Sequence, residues 1–384
     1  MTFLLITFST ACTKNSPNEE IAKAEMMLKK GRYQEASITL KNVIQSQPTH
    51  LKARELLGLT YLNQGHYLAA QKELLKAKDV LSAEGTIALA ETHLWLEEYE
   101  SIQKLGINAD DSLKDELEIY KAVALLRSLD AETAINMLRK LERSSSEAIS
   151  LIAKAYIYTM NEEPQKALEL LNSQIIPIKD SPLTLQLKFT VESFIDDYEK
   201  AISTGKQLLS LRPADYKIKT QLATALINAG EFDQAKPIVE QLLQLSANQP
   251  YFNQLKGTIL ISEKNFESAA HYLDKAIKNG RTNQVTRLFS AISHYQLGNY
   301  EQAYQNLSAI ITTLPEEHFA RRLYTSIQLK LGYTQDGIDT LNTMTSLGQD
   351  DLIYIVETSR LLVQKNELSE AKRLLNKIDS QEIA

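Results

Sequence analysis

One cysteine, Cys12, stands in a chain of 384 residues. No disulfide can close within the chain, and a zinc site has no cysteine partners to draw on. Proline (9) and glycine (13) are scarce. With so few breakers, helix is expected to fill most of the chain. A basic excess is also missing. The net charge is −6, so the chain lacks the basic face that displaces phosphate counterions, and nucleic acid is not expected as a partner. The lysines Lys23, Lys29 and Lys30, and Lys72, Lys76 and Lys78, sit among glutamates at helical spacing and read as solvated helix faces. No run approaches the roughly 18 apolar residues of a membrane-spanning helix.

Catalytic signatures are absent too. Six histidines occur, and no pair has the H-E-x-x-H spacing of a zinc protease. His93 and His294 recur at one helical position and read as packing between helices. Neither G-x-S-x-G, G-x-x-x-x-G-K-[ST] nor G-x-G-x-x-G is found. Adjacent acids such as Glu97/Glu98, Glu162/Glu163 and Asp196/Asp197 read as helix caps. The sequence therefore predicts no enzyme, no metal and no cofactor.

What is present is repetition. Gly31, Tyr33, Ala36 and Leu40 return 34 residues later as Gly65, Tyr67, Ala70 and Leu74. Ala36 serves as a marker. It recurs at Ala70, Ala167, Ala201, Ala235, Ala269, Ala303, Gly337 and Ala371, with Ile102 and Ala134 filling two less regular units. A small residue falls twelve before the marker, as at Gly58, Ala90 and Gly257. Glycine often falls five before it, and an aromatic three before it. Such a period marks stacked helix pairs. The small residues let paired helices approach, and the glycine gives the first helix a left-handed stop. The prolines fit the frame. Pro17, Pro182 and Pro250 open repeats, Pro164 opens a second helix, and Pro237 is expected in the first turn of another.

This pattern resembles the tetratricopeptide repeat (TPR). The resemblance covers residues 17–384 and implies an all-α, right-handed superhelical solenoid of about eleven helix-turn-helix repeats. Residues 83–147 are irregular and predict a local change of curvature, with a hinge between two sub-arrays as the second reading. The resemblance also implies a concave groove lined by the first helices, at repeat positions 2, 5, 9, 12 and 13. The candidate groove residues are Trp95, Ile152, Tyr156, Gln186, Phe194, Asn228, Tyr251, Gln254, Leu288, Tyr295, Phe319 and Arg322. Aromatics among amides and hydroxyls suit a polypeptide, and they also suit the apolar face of a sugar. The opposite reading is that a tight superhelix packs these side chains against one another. Position 5 reads Ile21, Glu55, Ile87, Ile119 and Ile152, so the lysine and asparagine clamp that binds a terminal carboxylate is not recognisable.

Residues 1–16 read as a signal and tether. An apolar run from Phe3 to Phe8, then Ser9-Thr10-Ala11 and Cys12, resembles a bacterial lipoprotein signal. Thr13, in place of aspartate, implies the outer membrane in such proteins. The ASITLKN, ARELLG and KELLKA blocks that follow resemble the TPR lipoproteins of exosortase (PEP-CTERM) systems. Together these resemblances imply a lipid-anchored scaffold in the periplasm of a Gram-negative bacterium. It would hold protein segments in its groove during exopolysaccharide export or surface-protein sorting. The alternatives are a TPR lipoprotein of pilus or outer-membrane protein assembly, or a direct binder of polysaccharide.

Overall fold

Several helices begin where a short polar side chain holds their first amides. Ser16 and Glu19 form a reciprocal capping box, and Ser82, Ser146, Ser181 and Asn283 cap later first helices. In the computed structural model, residues 16–107, 112–172, 181–213, 215–315, 318–342 and 349–380 are described. They contain α-helices and no strand. In chain order these are α1 (Pro17–Lys29), α2 (Tyr33–Ser46), α3 (Leu51–Asn63), α4 (Tyr67–Lys76), α5 (Ala83–Trp95), α6 (Tyr99–Gln103), α7 (Ser112–Arg127) and α8 (Ala131–Leu141). There follow α9 (Glu147–Met160), α10 (Pro164–Asn172), α11 (Pro182–Phe194), α12 (Tyr198–Leu211), α13 (Tyr216–Asn228), α14 (Phe232–Leu245), α15 (Pro250–Ser262) and α16 (Phe266–Lys278). The last are α17 (Gln284–Gln296), α18 (Tyr300–Ser308), α19 (Ala320–Lys330), α20 (Thr334–Asn342), α21 (Gln349–Gln364) and α22 (Leu368–Ser380).

The spacing of small residues explains how the helices pair. A side chain built at Gly58 would put its Cβ 2.5 Å from Leu74 Cγ, and one at Gly257 would meet Leu273 at the same distance. Alanine fills the equivalent place at Ala90, Ala122, Ala155 and Ala291, each fully buried. Odd- and even-numbered helices thus meet at contacts that admit little beyond a methyl group. The turn within each pair carries one left-handed residue. Gly31, Gly65, Gly230, Gly298 and Gly332 hold it, and so do Glu97, Leu129, Glu162, Asp196, Lys264 and Asn366. The left-handed turn therefore persists where the expected glycine is missing.

One proline departs from expectation. Pro237 lies inside α14, beyond its first turn. Its ring removes one helical hydrogen bond, a cost of roughly 3 kcal/mol in a helix interior. Burial of Ala235, Val239 and Leu242 on the same helix holds it in place.

The chain divides into two compact units, Met1–Ile218 and Lys219–Ala384, with the boundary inside α13. In the first unit, α1, α3, α5, α7 and α9 each pack on the next odd-numbered helix as well as on their own pair. In the second, α15 packs on α17 and α19 on α21. First helices therefore line the inner side of each stack. The irregular stretch predicted near residues 83–147 holds the shortest helix, α6, and here α7 packs broadly on α5. Shortening the outer helix lets the inner ones close up. Cys12 and the rest of the expected tether lie outside the described residues.

Candidate functional site

The inner faces of the two units differ. In the first unit, Ile87, Ile119, Ile152 and Leu183 come from four successive first helices and share one core. Trp95 is buried and stacks on Tyr67, with ring centroids 5.5 Å apart. Glu91, Trp95, Tyr120, Arg127, Tyr156 and Gln186 line a residual cavity of about 20 Å³. That is room for roughly one water molecule. Burial pushes the Tyr156 hydroxyl up to about 12, and it raises Tyr120 well above its usual value with help from Glu91 and Glu116. These tyrosines stay neutral hydrogen-bonding groups at any physiological pH.

A segment that the repeat frame leaves in a loop closes this face. Arg212, at the end of α12, meets Glu91 on α5 at 2.6 Å, with both side chains buried. Burial opposes the Arg212 charge, yet Glu91 beside it leaves the guanidinium above its ordinary value. Nε and Nη1 of Arg212 are buried without hydrogen-bond partners. Asp215 caps α13 by accepting from the Lys217 and Ile218 amides at 2.9 and 3.1 Å, and its other oxygen accepts from the Tyr67 hydroxyl. Lys217 donates to the Trp95 carbonyl and lies 3.3 Å from Glu97. Gly65 is the residue that allows this approach, since a Cβ there would stand 2.7 Å from the Asp215 Cα. No periodic signal points to Arg212, Asp215 or Lys217.

The second unit keeps an open inner face. Tyr251 is half-buried, and its hydroxyl lies 2.8 Å from Thr224 Oγ1. The Arg281 guanidinium lies 4.1 Å from the centre of the Tyr251 ring and donates to Gln254. Thr286 also donates to Gln254, at 2.9 Å. Tyr295 is half-buried and bonds Ser326 at 2.9 Å. Leu288 is buried, Arg322 is half-buried, and Asn228 is exposed. Val285 and Phe319, at position 2 of successive repeats or beside it, are 45% and 49% exposed. Of the remaining candidates, Phe194 is 69% exposed at the end of α11, away from the filled core of its unit. Arg281 was missed by sequence reasoning because it lies in the loop that closes a repeat, outside the first-helix positions.

The described residues hold no group of three or more His, Cys, Asp and Glu side chains able to bind a metal. None of their helices is long and apolar enough to cross a membrane. His93 and His294 sit where helices meet, bonded to Glu98 at 2.6 Å and Asp274 at 2.9 Å.

Residues 196–259 match the tetratricopeptide repeat family. The chain folds as tetratricopeptide repeats. Residues 228–310 match a second family, anaphase-promoting complex, cyclosome, subunit 3. Among characterised proteins, aspartyl/asparaginyl beta-hydroxylase of Mus musculus is 24% identical over 189 residues, and that of Homo sapiens 23%. The match covers 46% of this chain and 25% of each of those proteins, so the chain spans about a quarter of their length. Among solved structures, Pseudomonas aeruginosa PilF is 20% identical with a TM-score of 0.46, over 56% of this chain and 97% of that one. Yeast Tom70 is 14% identical with a TM-score of 0.37, over 96% and 93%. MamA from Desulfovibrio magneticus is 15% identical with a TM-score of 0.39, over 43% and 93%. The TPR array supplies inner faces made of first helices, and in this chain the first is largely filled, while the second buries Gln254 and Leu288 and leaves Val285 and Phe319 open.

Proposed function

We propose that this TPR protein is a non-catalytic scaffold that holds a polypeptide segment on the inner face of its second unit. The observation that carries this is the exposure of Val285 and Phe319 along that face, beside the half-buried Tyr251 and Tyr295. Apolar side chains held open by a rigid frame are the usual anchors of protein interfaces. A photo-crosslinking residue at Phe319 should capture a polypeptide in cells. The same residue at Gln305, on the outer helix α18, should not. Equal capture at both positions removes the reading.

The setting we propose is the periplasmic side of a Gram-negative outer membrane, through a lipid on Cys12. Its support is the run of apolar and then small residues before the only cysteine. Exopolysaccharide export or exosortase-linked sorting is the process favoured by the blocks after Cys12 that resemble lipoproteins of those systems. A fatty-acid analogue should label the natural chain and not Cys12→Ala, and label persisting in the variant removes the anchor. Sugar stacking on Tyr251 is the weaker reading, because Arg281 already lies over that ring.

A further inference from the structure

We infer that the inner face of the second unit selects a segment that is apolar on one side and acidic on the other, an inference that rests on the interaction reading above. The inner-face positions of the first unit include Glu25, Glu55, Glu84, Glu91 and Glu116. The corresponding positions from Thr220 to Gln364 include no aspartate or glutamate. Cations stand there instead. Arg360 on α21 is exposed and forms no ion pair among the described residues. Val356 and Val363, one turn before and one turn after Arg360 on the same helix face, are both about half exposed. Lys330 is exposed at the end of α19. Arg281 lies over the Tyr251 ring and donates to Gln254, and it too has no carboxylate partner among the described residues.

The arrangement alternates apolar surface with fixed positive charge. A guanidinium with no internal acid presents a planar fork that suits an incoming carboxylate. Val285, Phe319, Val356 and Val363 offer apolar contact that a bare polyanion cannot use. Charge complementarity sets which segment docks, and the apolar contact supplies most of the affinity.

The test uses the full chain and two fluorescent peptides of about 18 residues, five helical turns. Both carry leucine and phenylalanine at helical spacing. One has glutamate at every polar position and the other lysine. Fluorescence anisotropy should give the glutamate peptide at least about tenfold tighter binding. Arg360→Glu should weaken it roughly three- to fivefold and Arg281→Glu/Arg360→Glu about tenfold, while Lys23→Glu on α1 changes nothing. Arg360 is exposed, so its variant reads binding even where the Arg281 change perturbs packing. Equal binding of the two peptides, or indifference to Arg360→Glu, overturns the acidic preference and leaves the interaction reading standing. Binding of neither peptide overturns both. A single-stranded DNA of about 20 nucleotides that competes as well as the glutamate peptide overturns the polypeptide in favour of any polyanion.

Discussion

Leu129 is 92% exposed and holds a left-handed backbone at φ 67°. Its side chain buries almost nothing, while its Cβ strains the turn by roughly 1–2 kcal/mol. Leu129→Gly should therefore raise stability by about 1 kcal/mol, read as a higher urea midpoint at unchanged slope. Gly65→Ala should act in the other direction and lose about 2–4 kcal/mol, because the new Cβ meets the Asp215 backbone as well as the left-handed penalty. Gly31→Ala, with open space around it, should lose only about 1 kcal/mol. Glu192 is a second test at this scale. It is fully buried on α11, and neither carboxylate oxygen has a hydrogen-bond partner. Burial raises it above the ordinary 4.5, against the weaker pulls of the Thr204 hydroxyl and of Lys188. A raised carboxyl contributes stability that is complete below its unfolded value and is lost as pH rises through the folded value. The natural chain should thus lose stability relative to Glu192→Gln as pH rises from about 4, the ordinary carboxyl range, followed by urea unfolding at each pH. A constant difference as pH rises would mean the carboxyl is not buried as described.

The pair formed by Arg212 and Glu91 joins α12 to α5 across more than a hundred residues of sequence. Arg212→Ala leaves a buried carboxylate alone and should cost about 3–5 kcal/mol. Arg212→Met/Glu91→Met should recover most of that loss, since Nε and Nη1 of Arg212 are unpaired in the native chain. A double-mutant cycle measures the coupling. The register of the helices was legible because it rests on local contacts. Gly58 and Gly257 need space for Leu74 and Leu273 within their own helix pair, so the requirement recurs at a fixed spacing. Pro237 was misread because a proline in the second turn of a helix looks, in sequence, like one in its first.

For the whole molecule, the one tryptophan reports on the first unit alone. Trp95 is buried against Tyr67, so its emission should be blue-shifted and resist acrylamide. In urea, Arg212→Ala should move the Trp95 midpoint to lower denaturant. Far-UV circular dichroism should keep a later phase from the second unit, because long repeat arrays lose two-state behaviour. Coincident shifts of both signals would mean the two units melt as one. The division at Ile218/Lys219 was not legible as a composition change, since it falls inside a regular repeat. The sequence reading placed its second option, a hinge, near residues 83–147 instead.

The sequence by itself determined the helices, their pairing and the turn in each pair. Those follow from contacts between residues that are a few turns apart, and such contacts must repeat whenever the motif does. It also named the inner-face positions, and it could not say which of them stay open. Trp95, Ile152 and Gln186 are buried in the first unit, whereas Tyr251, Tyr295 and Phe319 keep part of their surface in the second. All occupy equivalent kinds of position in the repeat. Their fate depends on how tightly successive pairs close, and so on the short helix α6 and on Arg212 and Asp215 reaching α5 and α4. Those contacts are long-range and occur once, so no period carries them, and only the tertiary structure decided them.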